Sequence, residues 1–253
     1  MESIPGAACT PLPWDSQFWG FAVARLDAET LSSSALDQAD AWCAAHGIRC
    51  LYVRVGGSDP RTLAAAEAGG CRFVDVRMEL ALPLTGRVPA AAEAGDVVVR
   101  AAGPADLPQL EALAAKAHRD TRFFKDSRFP AARAADLYRA WLERDVARHV
   151  AVVCETPTRP TRPCGYVTCE LDAARGEGRI GLLAVAPEST GRGLGTRLVR
   201  AALQRFAAEG LRTARVATQA TNVAALRLYE AAGFRTCAAS LWFHKWFAGG
   251  AHE

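Results

Sequence analysis

The chain has 253 residues, half of them apolar and 23% charged, with a net charge of +3 at neutral pH. That bounds the protein at one large domain or two modest ones of ordinary soluble, globular composition. The small positive balance, with no basic run interleaved with aromatics, argues against nucleic acid, and no apolar run approaches the ~18 residues of a membrane span.

The opening MESIPGAACTPLPW lacks the basic-then-apolar pattern of a secretory leader. After it, Phe21 to Leu26 reads as a strand and Leu31 to His46 as a helix closed by Gly47. Arg49 to Val55 is apolar and β-rich, and Asp59-Pro60 is an N-cap followed by proline at the first helical position. That helix runs to Gly69, and a strand resumes from Cys71 to Leu82. Residues 1–85 are therefore expected to form a small α/β domain. Residues 86–96, within the proline-containing PLTGRVPAAAEAG, read as a linker, and 97–247 as a second domain.

The second domain opens on a strand, Val97 to Ala101, and a helix from Pro104 to about His118. RDTRFFKDSRFP is aperiodic and reads as a loop, and helical periodicity returns from Ala131 to Arg148. Val150–Cys154 and Cys164–Leu171 form a hairpin across TPTRPTRP. Next comes the most informative stretch, Arg179 to Phe234. An apolar strand, Ile180 to Val185, ends in a turn carrying Gly191, Gly193 and Gly195. An amphipathic helix follows, with Leu194, Leu198, Ala201, Ala202, Leu203 and Phe206 on one face. Glycines at a helix start let backbone N–H groups approach an anion closely, which suits a phosphate or pyrophosphate. A P-loop would need Gly-Lys-Ser/Thr, which is absent. The dinucleotide fingerprint would need glycine where Thr196 stands.

The stretch resembles the acetyl-CoA signature of the GNAT superfamily of N-acetyltransferases. The pattern Gln/Arg-x-x-Gly-x-Gly/Ala falls on Thr190, Gly193 and Gly195, departing only at Thr190. The second signature, Asn-x-x-Ala-x-x-x-Tyr-x-x-x-Gly-Phe, is met by Asn222, Ala225, Tyr229, Gly233 and Phe234. The likeness covers roughly residues 97 to 247. Within the superfamily, RIGLLA, RVATQ, Ser127-Arg128-Phe129 and the N-terminal Trp14-to-Gly20 segment are similar to the TDP-fucosamine acetyltransferases, which acetylate the amine of a TDP-4-amino-4,6-dideoxy sugar.

The resemblance implies an α/β (α+β) GNAT fold with a mixed central sheet, and acetyl-CoA as co-substrate. It assigns the pantetheine arm to the strand at Leu183, Ala184 and Val185. It assigns the pyrophosphate to Gly191, Arg192, Gly193, Leu194, Gly195 and Thr196. Asn222 is expected to join helix capping with cofactor contact, and Tyr229 to be the general acid for the leaving thiolate. Ser127, Arg128 and Phe129 are expected to meet the acceptor: arginine gripping a diphosphate, phenylalanine stacking on a base or sugar. His118, Asp120, Asp126 and Glu170 are candidate bases by neighbourhood only, and none is singled out, since ordered water also serves the family. Trp14 to Gly20 fits either a cover over the sugar site or packing between domains.

Eight scattered cysteines without a C-x-x-C pair, and five histidines without ligand spacing, read as a metal-free protein of the reducing cytoplasm. No cysteine carries a nucleophile motif, so transfer is expected by direct attack of the amine. Two other readings stay open. One keeps the chemistry on a protein N-terminus, amino acid or other small amine; the other is a non-catalytic acetyl-CoA-binding regulatory module. Trp242, Phe243, Trp246 and Phe247 fit either a homodimer contact or ordinary strand burial.

Overall fold

The computed structural model describes residues 9–57, 59–84, 97–147, 151–155 and 163–248. In chain order the elements are β1 (Cys9–Pro11), α1 (Pro13–Trp19), β2 (Val23–Ala28), α2 (Ser33–Ala45), β3 (Cys50–Val55), α3 (Pro60–Ala68) and β4 (Arg72–Pro83). Then follow β5 (Val98–Ala101), α4 (Leu107–Ala117), α5 (Arg122–Lys125), α6 (Ala131–Ala147), β6 (Ala151–Glu155), β7 (Pro163–Asp172) and β8 (Glu177–Val185). The chain continues through α7 (Leu194–Ala208), β9 (Thr213–Gln219), α8 (Val223–Ala231) and β10 (Arg235–Trp246). It divides into two compact units, Met1–Arg77 with Ala238–Glu253, and Met78–Cys237. The boundaries thus fall inside β4 and β10, while the expected linker at 86–96 lies outside the described residues.

In the first unit β1 pairs antiparallel with β2, β2 parallel with β3, and β3 antiparallel with the last part of β10. Alternation sends Ala24, Leu26, Leu51, Val53 and Val55 to one face, where they bury with Leu36, Ala39 and Cys43 of α2 and with Phe243. Ser32 caps α2 by accepting from Ala35 N at 3.2 Å, and Asp59 caps α3 by accepting from Arg61 N and Thr62 N. Neither β1 nor α1 was anticipated, because three- and seven-residue elements are too short to show a period. Ser16 secures α1 instead: its hydroxyl donates to Leu12 O at 2.8 Å and accepts from Val23 N at 2.9 Å.

In the second unit β5, β6, β7 and β8 form antiparallel neighbours, and β9 joins β8 in parallel. Leu194, Leu198, Val199, Ala202, Leu203 and Phe206 bury one stripe of α7 against Val167, Cys169, Ile180, Ala214 and Val216. The opposite face of the sheet takes α4 and α6: Tyr166, next to the α7-facing Val167, meets His118 at the end of α4 and lies near Tyr138 of α6. Gly178 is what lets α7 lie so close. A Cβ there would stand 2.3 Å from the Phe206 ring.

Candidate functional site

The α7 end of β8 and β9 is shaped by one irregularity. The parallel ladder joins Glu177–Ile180 to Thr213–Val216, and both strands then run on past it, to Val185 and Gln219. On its other edge β8 carries a bulge, with Gly181 and Leu182 opposite Thr168 in β7. Thr168 holds the bulge, its hydroxyl oxygen accepting from Leu182 N at 2.9 Å. Only glycine suits position 181, since a Cβ would reach within 2.6 Å of that oxygen. The extra residue shifts the alternation, so that Ile180 and Leu183, three apart, both face the α7 core. Beyond Ile180 the backbone of Leu183, Ala184 and Val185 therefore turns one edge away from its parallel neighbour. An extended ligand can pair there.

β8 leads into the glycine turn. Gly191 and Gly193 have φ of 76° and 73°, in the left-handed region that disfavours any side chain. Gly193 is the N-cap of α7, so the first-turn amides of Leu194, Gly195 and Thr196 have no helical acceptors and point out of the helix end. Gly195 answers a different demand, since a Cβ there would press on Leu228 of α8 at 3.1 Å. Arg192 is exposed between the two left-handed glycines. Thr190, where the signature has Gln or Arg, closes the turn by donating its hydroxyl to Pro187 O at 2.8 Å. Partial positive charge, outward amides and close backbone approach are the features an anion site requires.

Asn222 caps α8, its side-chain oxygen accepting from Ala225 N at 3.1 Å. Two turns on, Tyr229 is buried in the α7 core with its ring edge-on to Phe234 at 5.8 Å. Burial drives the phenol well above its ordinary range, so it stays protonated throughout the neutral and mildly alkaline region. Among the described residues nothing hydrogen-bonds its hydroxyl, and that oxygen is not among the fully enclosed unpartnered atoms. It is a neutral donor with its proton uncommitted.

The loop after α4 is tied beside Asn222. Thr221 donates to Asp120 at 2.8 Å, and Lys125 bridges Asp120 at 3.0 Å and Thr221 at 3.4 Å. Lys125 holds the Asp120 carboxyl below its usual range, which leaves it ionised and engaged rather than poised to take a proton. Asp126 is fully buried and accepts from Arg128 N at 3.2 Å, turning the chain so that Ser127 and Arg128 are exposed. Phe129 departs from expectation. Its ring is buried edge-on against Phe123 at 5.3 Å, so it packs the loop from within and offers no open face for stacking.

His118 Nε2 meets the Tyr166 hydroxyl at 2.8 Å, and its ring stacks on Tyr138. Tyr166 is fully buried, and this is the one hydrogen bond of its hydroxyl among the described residues. Desolvation pushes the imidazole pKa down to about 4, and it is neutral at physiological pH. Glu170 is exposed near the β7–β8 turn, opposite Arg179. The Trp14-to-Gly20 segment is α1 and its left-handed Gly20 cap, in the first unit. Trp242 and Phe243 are buried, as strand residues are. Among the described residues no group of three or more His, Cys, Asp or Glu could hold a metal, and no helix is long and apolar enough to cross a membrane. Sequence reasoning missed Thr168 and the Asp120–Lys125–Thr221 tie. The one signal of the first was its place opposite the Gly181 of RIGLLA, and only folding reveals it.

Residues 112–234 fit the model of the Acetyltransferase (GNAT) family. The chain is 31% identical over 247 residues to the dTDP-fucosamine acetyltransferase of Escherichia coli O6:H1, covering 94% of this chain and 98% of that protein. The chain belongs to the GNAT acetyltransferase family. As a GNAT protein it is an acetyl-transferring enzyme of a family that uses acetyl-CoA. It is also 36% identical to N-alpha-acetyltransferase 30 of Saccharomyces cerevisiae over 78 residues, 30% of this chain and 44% of that one. Among solved structures, a GCN5-related N-acetyltransferase from Sphaerobacter thermophilus shares the fold, with a TM-score of 0.68 at 16% identity. That match spans 97% of this chain and 78% of the other.

Proposed function

We propose that this GNAT enzyme acetylates the amino group of a nucleotide-linked amino sugar of the TDP-4-amino-4,6-dideoxyhexose class, in the cytoplasm, by direct attack of the amine. The observation that carries the reading is the end-to-end likeness to a dTDP-fucosamine acetyltransferase, which reaches far beyond the family's shared segment. The geometry supports it. The loop exposing Ser127 and Arg128 carries four cations against two carboxylates between 119 and 128, and it is tied to Thr221 beside Asn222. An arginine fork there suits a diphosphate.

Acetyl-CoA brings an acetyl group activated as a thioester. The residues present fit it: the turn of 191–196, with its outward amides at 194–196, would hold the diphosphate, and the turned-out edge of Leu183, Ala184 and Val185 would pair with an extended arm. Tyr229 holds a proton at its hydroxyl for the departing sulfur. Its raised pKa keeps the proton in place until negative charge develops beside it. Asn222 fixes the start of α8, and with it the height of Tyr229 two turns along. The acceptor amine reaches its neutral form through water, because Asp120 and Asp126 are engaged, His118 is a weak base, and Glu170 lies by the β7–β8 turn at the other end of β8 from Val185.

The test is thiol release from acetyl-CoA by the purified chain with a panel of acceptors. The panel holds TDP-4-amino-4,6-dideoxy sugars differing at C4, other nucleotide amino sugars, free amino acids and N-terminal peptides. Release confined to a TDP-amino sugar, and weakened by Arg128→Ala through KM, is the expected result. Release with peptides or amino acids alone would overturn the acceptor and leave the acetyl-transfer chemistry.

A further inference from the structure

The backbone from residue 22 to 83 repeats that from 176 to 246 at its parallel ladder, its turns and its helix ends. β2 runs parallel to β3 with Val23 opposite Cys50, Ala24 opposite Leu51 and Leu26 opposite Val53. β8 runs parallel to β9 with Glu177 opposite Thr213, Gly178 opposite Ala214 and Ile180 opposite Val216. After the first helix, α2 or α7, the chain turns on a left-handed glycine, Gly47 (φ 62°) or Gly210 (φ 71°). The next amide closes the same bond, Ile48 N to Cys43 O at 2.9 Å and Leu211 N to Phe206 O at 3.0 Å. The amides of Arg49 and Cys50 both reach Ala22 O, and those of Arg212 and Thr213 both reach Gly176 O.

The second helices agree equally well. Both α3 and α8 are nine residues long, capped by Asp59 and Asn222, each of which accepts from the amide three residues on. Both end on a left-handed glycine, Gly70 or Gly233, whose amide bonds Glu67 O or Glu230 O at 3.0 Å. Strands of twelve residues follow, starting at Arg72 and Arg235. From Gly47 and Gly210 to Arg72 and Arg235 the offset is constant. Core volumes compensate: Gly178 under Phe206 in one copy corresponds to Ala24 under Cys43 in the other. Shared architecture alone would not keep loop lengths, caps and glycine positions in one register over two helices.

The largest difference in backbone falls on the features of the cofactor site. From Ala22 to Leu31 the first copy takes nine steps, whereas Gly176 to Leu194 takes eighteen, and the extra residues are the bulge and the glycine turn. The β2–β3 ladder continues to Ala28 and Val55, where β8 and β9 have stopped pairing. Ala66 stands in the place of Tyr229. A cleft lined by Thr30, Ser32, Ser33, Gln38 and Arg61 does open at the matching corner, but without left-handed glycines.

We propose that residues 22–83 and 176–246 are two copies of one β-α-β-α-β unit, and that only the second keeps an acetyl-CoA site, so that each chain takes one acetyl-CoA. The single-site statement rests on the cofactor reading of the second unit given above. The test places the same charge at equivalent first-turn positions, Ser33→Glu in α2 and Thr196→Glu in α7. Both changes suit a helix start, so folding is preserved. Calorimetric titration of the full chain with acetyl-CoA is expected to give one site per chain. Ser33→Glu is expected to leave its affinity within twofold, while Thr196→Glu weakens it by about tenfold or more through repulsion of the diphosphate. Two sites, or a site lost on Ser33→Glu, would overturn the proposal while leaving the acetyltransferase reading intact. No binding by the unaltered chain would sink that reading, and the single-site statement with it.

Discussion

Tyr229→Phe is the sharpest single perturbation, because it removes one oxygen and nothing else. The ring is buried against Phe234 and its hydroxyl has no hydrogen-bond partner among the described residues, so no bond is broken on truncation. The stability change is then expected to stay within about 0.5 kcal/mol, the usual range for a substitution that disturbs no packing or bonding. Catalysis should respond far more. Loss of a positioned proton donor costs about 100-fold in rate, or ~2.7 kcal/mol of barrier. Thiol release should therefore show kcat down about 100-fold with the KM for acetyl-CoA unchanged. The pH dependence adds a second check. Burial raises the tyrosine pKa, so the protonated form persists up to the unfolded value near 10 and beyond, and its loss sets in only as pH climbs through the folded value. Any alkaline fall in the activity of the unaltered enzyme below about pH 10 must come from another group, and Tyr229→Phe should lower the curve without changing its shape there. Full activity of the variant across that range would refute the proton-donor role.

Three further outcomes follow from named contacts. Thr168→Val keeps the shape but removes the oxygen that accepts from Leu182 N, at a cost of about 1–2 kcal/mol, and should raise the KM for acetyl-CoA more than it lowers kcat. Gly178→Ala forces a Cβ into Phe206 and should lower stability by about 1–3 kcal/mol in chemical denaturation, with Phe206→Leu recovering part of the loss in the double variant. His118 is held at a pKa of about 4 against 6.5 unfolded, so the unfolded chain binds more protons between these values. Its contribution is complete above pH 6.5 and is lost as pH falls through 4, at most about 3 kcal/mol. His118→Gln should flatten the fall in Tm over that window, and an unchanged slope would remove the desolvation argument.

Much of this was legible in the chain because the residues that carry it are forced by backbone geometry. Gly191 and Gly193 sit in left-handed turns, Asn222 is an N-cap, and the α7 stripe has helical period, all of which are local properties. The GNAT fold and acetyl-transferring chemistry came from the resemblance of these stretches to the family's two signatures. Less was legible where the cause was tertiary. Phe129 looks like a stacking platform until Asp126 turns the chain and buries it on Phe123, and Thr168 acts only through the strand opposite. The boundaries inside β4 and β10 were invisible as well, since an apolar strand carries no mark of the unit to which each part of it belongs. The repeat was hidden for a related reason. What it keeps is loop hydrogen bonds and glycine conformations, while the side chains between them have changed, Gly178 and Phe206 against Ala24 and Cys43 among them.

The central claim is that the edge of β8 and the start of α7 hold acetyl-CoA. Amide hydrogen exchange of the full chain, with and without CoA, tests it most directly. Protection is predicted at residues 183–185 and 191–196, with the matching segment around 28–35 unchanged. Protection confined to other segments, or none at 191–196 under saturating ligand, would contradict the account.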